Sequence, residues 1–317
     1  MSVTRRGEAR VASRYFVPGA ITDNGHGQFM TGQMYVEHLL APERESASAL
    51  VFLHGGALTG HCWMQTADGR PGWAPSAVDR GYDVVVVDQP DRGRSGWSIS
   101  ADADDFTRLS AGDVERLFTA CAAHRAWSGA EGHTQWPGTG RVGDPVFDQF
   151  FAGTVPYLSD HALSQERARD AVAGLLTTIG PAVLVTHSQS GPQGWVAAGA
   201  APQQVRAIIA IEPSGPPGRE FFTGEPARGY GISDIPVGLD AEGMSVLRDI
   251  PILVVTGSAS YHACYDDETV ALMRSWGLRV EHVYLADVGI VGNGHMMQVE
   301  SNSDQILELA LTWLGTL

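Results

Sequence analysis

Short runs rich in Val, Ile and Leu recur along the chain, each closed by polar or glycine residues. They are Ala49–Leu53, Asp83–Asp88 (DVVVVD), Ala182–Thr186, Val205–Ile211 and Ile252–Thr256, with Val280–Leu285 a weaker sixth. Polar and apolar residues do not alternate strictly within them. That is the pattern of strands covered on both faces, as in a parallel sheet. Helical stretches fall between and after these runs. Ser164–Ile179 carries apolar residues at helical spacing, with Ser164 as the expected N-cap and Glu166 in the first turn. Ser303–Leu314 repeats apolar positions at three- and four-residue intervals, and Glu268–Trp276 is a shorter candidate. The alternation predicts an α/β fold, a mostly parallel central sheet flanked by helices.

The stretch between the DVVVVD strand and the Ser164 helix fits neither pattern. It holds Trp97, Trp127, Trp136, Phe147, Phe150, Phe151 and Tyr157 among many Gly and Pro residues. A structureless loop of this length is uncommon in a compact domain. Residues 97–163 are therefore expected to form a lid or cap inserted into a core made of residues 1–96 and 164–317. No internal repeat is present. A chain of 317 residues, 44% hydrophobic, is long enough to bury one large core with such an insertion.

Charge and cysteines narrow the function classes. The net charge of −15 argues against a nucleic-acid partner, because an acidic surface repels phosphate backbones. Cys62, Cys121 and Cys264 lie far apart and form no ligand spacing, so neither a metal nor another cofactor is expected. The first residues are basic but no apolar segment follows, and no run of about 20 apolar residues exists. On that pattern the expected location is cytoplasmic, with no membrane partner.

Candidate chemistry sits at the strand ends. In "AVLVTHSQSG" a buried strand runs into Ser188, with the small residues Thr186 and Ser190 two positions to either side. A serine between strand and helix, flanked by small residues, has the form of a nucleophile elbow. Gly191 and Pro192 then open a helix whose free N–H groups favour negative charge at the site. A base must stand near. His295, in "GNGHMMQVE" between the last strand and the last helix, reaches the carboxyl edge of the sheet; His187 and His54 are the other histidines beside the elbow and an early strand. The orienting acid has a usual slot after the next-to-last strand, and that slot holds Ser260. One strand earlier, Glu212 closes "AIIAIE", where an ionised carboxylate needs a partner. Asp266, Asp267 and Asp287 are alternative acids. "VFLHGGALTG" supplies a glycine loop after an early strand, so the backbone N–H groups of Gly56 and Gln189 are the expected oxyanion hole.

The order of glycine loop, elbow serine and late histidine resembles the α/β-hydrolase superfamily over about residues 50–314, lid excepted. "HGGALTGHCW", "ADGRPGWAPSAVDRGYDVVVVDQPDRGRS", "THSQSG", "IEPSG" and "GNGHMM" resemble a narrower group, the bacterial esterase 713 family. The resemblance implies an acidic residue after the sixth strand, where Glu212 stands, and a homodimer. The family's adjacent cysteine pair beside the oxyanion loop is replaced here by Gly56 and Ala57. These features together predict a serine hydrolase cleaving a carboxylic ester or lactone through an acyl-enzyme, with Ser188, His295 and Glu212 as triad and a small molecule as substrate. An acyltransferase on the same triad, or a non-catalytic binding protein on a hydrolase scaffold, are the alternatives.

Overall fold

Eight strands form one sheet in a computed structural model that describes residues 10–23, 25–97, 105–215 and 245–317. They are β1 (Arg10–Val17), β2 (Met34–Leu40), β3 (Ala49–Leu53), β4 (Val84–Asp88), β5 (Ala182–His187), β6 (Val205–Ile211), β7 (Ile252–Thr256) and β8 (Val280–Tyr284). Their spatial order is β1-β2-β4-β3-β5-β6-β7-β8. β2 runs antiparallel to both β1 and β4, and β4 through β8 are parallel where they pair. The six expected strands are present. β1 and β2 went unread because they are edge-side strands with mixed polarity (Arg14, Glu37 and His38 among them), not V/I/L runs.

Each V/I/L run is buried on both faces, and alternate residues feed different cores. Phe52, Val84, Val86, Val185, Ile209 and Val255 point to one side, with α1 (Trp73–Val78) and α6 (Ser303–Leu314) packed over them. Val51, Leu53, Val85, Leu184, Ile208 and Val254 point to the other, beneath α3 (His161–Ile179), α4 (Ser190–Ala200) and α5 (Asp266–Ser275). This double burial is why the runs lack alternation. α3 begins three residues before the expected Ser164: Asp160 is the N-cap, its side chain accepting from the Leu163 N–H, while Ser164 is buried inside the helix. A carboxylate at the N-terminus suits both the free N–H groups and the helix dipole better than a serine one turn in.

Residues 98–104 of the expected insertion lie outside the described residues. The rest folds into short helical turns, α2 (Pro145–Ala152) and a small strand pair, Phe106–Thr107 with Tyr157–Leu158. Its aromatics do not form a core of their own: Trp127, Trp136, Phe147 and Phe150 share one apolar cluster with Phe52, Val84 and Ile209 of the sheet. Among the described residues no helix is long and apolar enough to cross a membrane.

The strand registers set the site. Leu53 of β3 pairs with Thr186 of β5, His187 of β5 with Ile211 of β6, and Ile211 with Val255 of β7. The carboxyl ends of four adjacent strands are thus level, and the loops that follow them open onto one edge.

Candidate active site

Ser188 is the first residue after β5 and has φ +54°, a left-handed conformation that costs an L-residue on the order of 1 kcal/mol. The turn is pinned on both sides. The Ser188 N–H donates to Ile211 O (3.0 Å), and Ser188 O accepts from Gly191 N (2.9 Å) and Ser214 N (2.9 Å). Close packing forces the small residues around it. A Cβ on Gly191 would stand 2.4 Å from Pro213 Cβ, and one on Gly194 2.7 Å from Thr186 Cγ2. Ser190 replaces the more usual glycine and uses its hydroxyl, which donates to Leu53 O (2.8 Å) and accepts from His187 N (2.8 Å). The elbow is thereby tied to β3, the strand that leads into the glycine loop.

His295 and Glu212 meet. The His295 Nδ1–H donates to Glu212 Oε2 at 2.6 Å, with both side chains buried. Glu212 follows β6 with φ +43°. Its carboxylate also accepts from Gly257 N (2.8 Å) and from the Ser260 hydroxyl (2.6 Å). Ser260, in the slot where an acid was expected, thus donates to the Glu212 carboxylate. Asp266 accepts from Thr256 Oγ1 (2.7 Å) and pairs with His262 Nδ1 (3.0 Å), Asp267 pairs with His282, and Asp287 is exposed. None of the three aspartates is His295's partner.

Burial, reinforced by Asp266 and Glu300, pushes the Glu212 carboxyl well up from its ordinary range, while Ser260 and Gly257 act the other way. Burial drives His295 well below the usual histidine range, with the neighbouring His187 and His262 adding to it. The His262 ring stacks on His295 at 4.7 Å with an interplanar angle of 4°. Glu212, His262 and His295 each place a potential ligating atom within 4.8 Å of one another.

His295 Nε2 is buried and, among the described residues, has no hydrogen-bond partner. Ser188 is half-buried, and its Oγ lies 3.5 Å from Ser214 Oγ; it shares no hydrogen bond with His295 here. The other two histidines have structural duties. The His187 Nε2–H donates to the His295 carbonyl (3.0 Å), and His54 Nε2 accepts from Gln89 N (3.0 Å). Gly56 and Gln189 are adjacent, for a Cβ on Gly56 would sit 3.5 Å from Gln189 Oε1. Among the described residues neither backbone N–H has an acceptor. Ala57, next to Gly56, has φ +57°, and its carbonyl accepts from Val155 N of the inserted segment (2.9 Å).

The long sequence blocks hold the loops in place. Arg70 of the DGR block donates to the carbonyls of Val299 (3.3 Å), Glu300 (2.9 Å) and Ser301 (3.2 Å), and Trp73 Nε1 to Ser303 O (3.1 Å). These contacts fix the chain just beyond His295. Asp88 of the DQ block accepts from Gly60 N (2.8 Å) and Arg94 N (2.8 Å), anchoring the glycine loop. Sequence reasoning missed two further groups because their partners are remote. His133 of the insertion pairs with buried Glu300 (2.8 Å), which also accepts from Gly294 N. Phe118, on a single π-helical turn (Glu115–Thr119), stacks on His295 at 5.5 Å.

Comparison with known proteins agrees with this architecture. Residues 48–234 match the model of the α/β-hydrolase fold family. A protein from a fungal species, named as a "probable secreted lipase", is 38% identical over 91% of this chain and 87% of its own. A solved bacterial esterase superposes with a TM-score of 0.71 at 24% identity, covering 100% of this chain and 99% of that one. An N-formylmaleamic acid deformylase from Pseudomonas putida superposes at 0.52 and 13% identity over 94% and 100%. Both structural likenesses are likenesses of fold. The fungal relative overturns the expected cytoplasmic location, since its name places it among secreted proteins. That expectation rested on the polarity of the first residues, and polarity there carries no information about the folded domain's compartment.

Proposed function

The chain belongs to the α/β-hydrolase fold family, and from that membership and the site geometry we propose that it is a serine hydrolase acting on carboxylic esters through an acyl-enzyme. One observation carries this reading: a buried carboxylate holds His295 by Nδ1 and, among the described residues, Nε2 is left without a partner. In that tautomer Nε2 is a base. Ser188 attacks the ester carbonyl as His295 takes its proton. The Gly56 and Gln189 amides receive the oxyanion, each worth on the order of 10²–10³ in rate. His295 then protonates the departing alcohol, and water repeats the sequence on the acyl-enzyme. Glu212 orients the imidazole and stabilises its cation. Hydrogen bonds between serine and base are often loose before substrate arrives and tighten in its complex, which fits Ser188 facing Ser214 in this structure.

A lactone is a cyclic ester and meets the same groups. The inserted segment, which covers this edge of the sheet, is the part of the molecule that decides acyl size. The fungal relative's name supports ester hydrolysis outside the cytoplasm. The test is a fluorophosphonate probe together with a graded panel of esters and lactones. The probe is expected to label wild type at Ser188 alone, and Ser188→Ala is expected to keep its fold and lose turnover. Labelling at another residue, or wild-type rates in the alanine variant, overturns the reading.

A further inference from the structure

Resting on the esterase reading, we propose that the substrate carries a carboxylate in addition to its scissile ester, and that Arg92 binds it beside the oxyanion hole. Arg92 follows β4 and is only 2% exposed. Among the described residues its guanidinium has one hydrogen bond, Nη2 to Gln189 Oε1 at 2.9 Å. Nε and Nη1 are buried and meet no acceptor. Asp91, which acts on Arg92 electrostatically, is hydrogen-bonded by Arg167 at 2.5 Å. The Tyr157 ring lies 5.0 Å below the guanidinium and supplies a face rather than an acceptor. The other arginine of the block, Arg94, has a different fate, bound to both Asp88 and Glu37.

Asp91 attracts Arg92 electrostatically, yet Nε and Nη1 meet no acceptor among the described residues, and buried guanidinium donors are normally hydrogen-bonded. Burial lowers Arg92 to about 10, which still leaves it charged at neutral pH. Its place gives the cost a purpose. The one acceptor it has, Gln189 Oε1, belongs to the residue after Ser188 and lies 3.5 Å from where a Gly56 Cβ would be. Arg92 is thereby bonded to the side chain of the residue that supplies one of the two amides assigned to the oxyanion. Gln189 itself is fixed from the far side by His161, through Nε2 and Nδ1 at 3.1 Å. The guanidinium is a planar fork suited to a carboxylate, and an anion there gives its two unbonded donors acceptors. Long-range attraction does not contribute, because the net charge is −15 and screening confines charge effects to short range. The selectivity is local.

The test compares nitrophenyl half-esters of straight-chain dicarboxylic acids with nitrophenyl esters of monocarboxylic acids of matched length. Wild type is expected to favour the charged series at its best length. Arg92→Met is expected to reduce the charged-to-neutral ratio of kcat/KM by about 10- to 100-fold, the worth of a charge-assisted hydrogen-bonded pair. A ratio unchanged by the substitution, or a wild-type preference for the neutral series, overturns the proposal and makes Arg92 a brace for Gln189. A binding measurement separates this from failure of the esterase reading. Free glutarate and adipate are expected to raise the Tm of Ser188→Ala protein but not of the Ser188→Ala, Arg92→Met double variant. Arg92-dependent protection without hydrolysis of any ester removes the esterase and keeps the anion site; hydrolysis without charge preference does the reverse. Equal protection by inorganic phosphate overturns the assignment to a carboxylate. Should Arg92→Met not fold, Arg92→Gln and the wild-type ratio still decide.

Discussion

At the scale of single residues, the proposed nucleophile and the proposed acid both stand at strained positions, as does Ala57 beside Gly56. Ser188 and Glu212 both have positive φ, at adjacent strand ends, where hydrogen bonds to Ile211, Val255 and Ser214 hold them. Strain of this sort persists only where surrounding structure over-determines it. Glu212 accepts three hydrogen bonds, so the ionised form is favoured by contacts even as burial opposes it. Glu212→Gln leaves the volume unchanged but removes the charge that stabilises imidazolium. Its kcat is expected to fall by about 10³–10⁴, as loss of the orienting carboxylate does in serine proteases, with the melting curve little changed. Asp267→Asn and Asp287→Asn, both at exposed positions, are expected to keep wild-type kcat within a few-fold. Asp266→Asn acts differently, because Asp266 is buried on Thr256 and His262, and its cost falls on stability. A kcat for Glu212→Gln close to wild type, measured with a saturating ester, defeats the assignment of the acid.

At the scale of elements, the segment between β4 and α3 is bonded to the loops at the carboxyl edge of the sheet. Its turns bond to the loop carrying His295: Thr134 N and Gln135 N donate to Gly292 O (3.0 and 3.2 Å), and Ser301 N to Gln135 O (2.8 Å). Trp127 Nε1 reaches Ala259 O (3.1 Å) in the loop after β7. Phe118 is the aromatic laid on the His295 ring, and its π-helical turn is a distortion often found at functional sites. Phe118→Ala removes a wall of the proposed acyl pocket. It is expected to shift preference towards longer or branched acyl groups, read as the ratio of kcat/KM across an ester series. The same ratio in wild type and variant makes this turn a support for His295 alone.

At the scale of the whole molecule, three deeply buried imidazoles make stability depend on pH. Burial lowers His54 to about 4 and His187 to about 3, and takes His295 well below 6.5. Each is neutral in the fold at a pH where the unfolded chain is protonated. As pH falls through 6.5 the unfolded state therefore binds more protons than the native one, and stability is lost, continuing down to each folded value. Above about 6.5 neither state is charged at these sites and the effect vanishes. Urea unfolding is expected to show a loss on the order of 1 kcal/mol per histidine between pH 7.5 and 5.5. Substituting His54, whose duty is to accept from Gln89 N, is expected to flatten that slope by about one proton's worth. A pH-independent midpoint over this range contradicts neutral burial.

The sequence by itself determined the strands of the parallel sheet, the tight turn at Ser188, and the chain order of the proposed serine, acid and base. Those features are written in local chemistry: V/I/L runs for two-sided burial, small residues where a turn is tight, a charged residue where an apolar strand stops. It favoured Glu212 as the partner of His295 but left Asp266, Asp267 and Asp287 as alternatives, and the contact itself is a matter of tertiary structure. Glu212, Ser260 and His295 follow three different strands, and only the level carboxyl ends of β6 and β7 bring Ser260 onto Glu212 and Glu212 onto His295. The antiparallel strands β1 and β2 were illegible because their pairing with β4 supplies order that their mixed polarity does not announce. Arg92 was hidden for a related reason. An arginine in a loop reads as a solvated charge, and nothing local shows that its acceptor is a glutamine 97 positions on or that its remaining donors are sealed from water. Burial and partnership are sums over distant chain segments, so tertiary structure alone decides them.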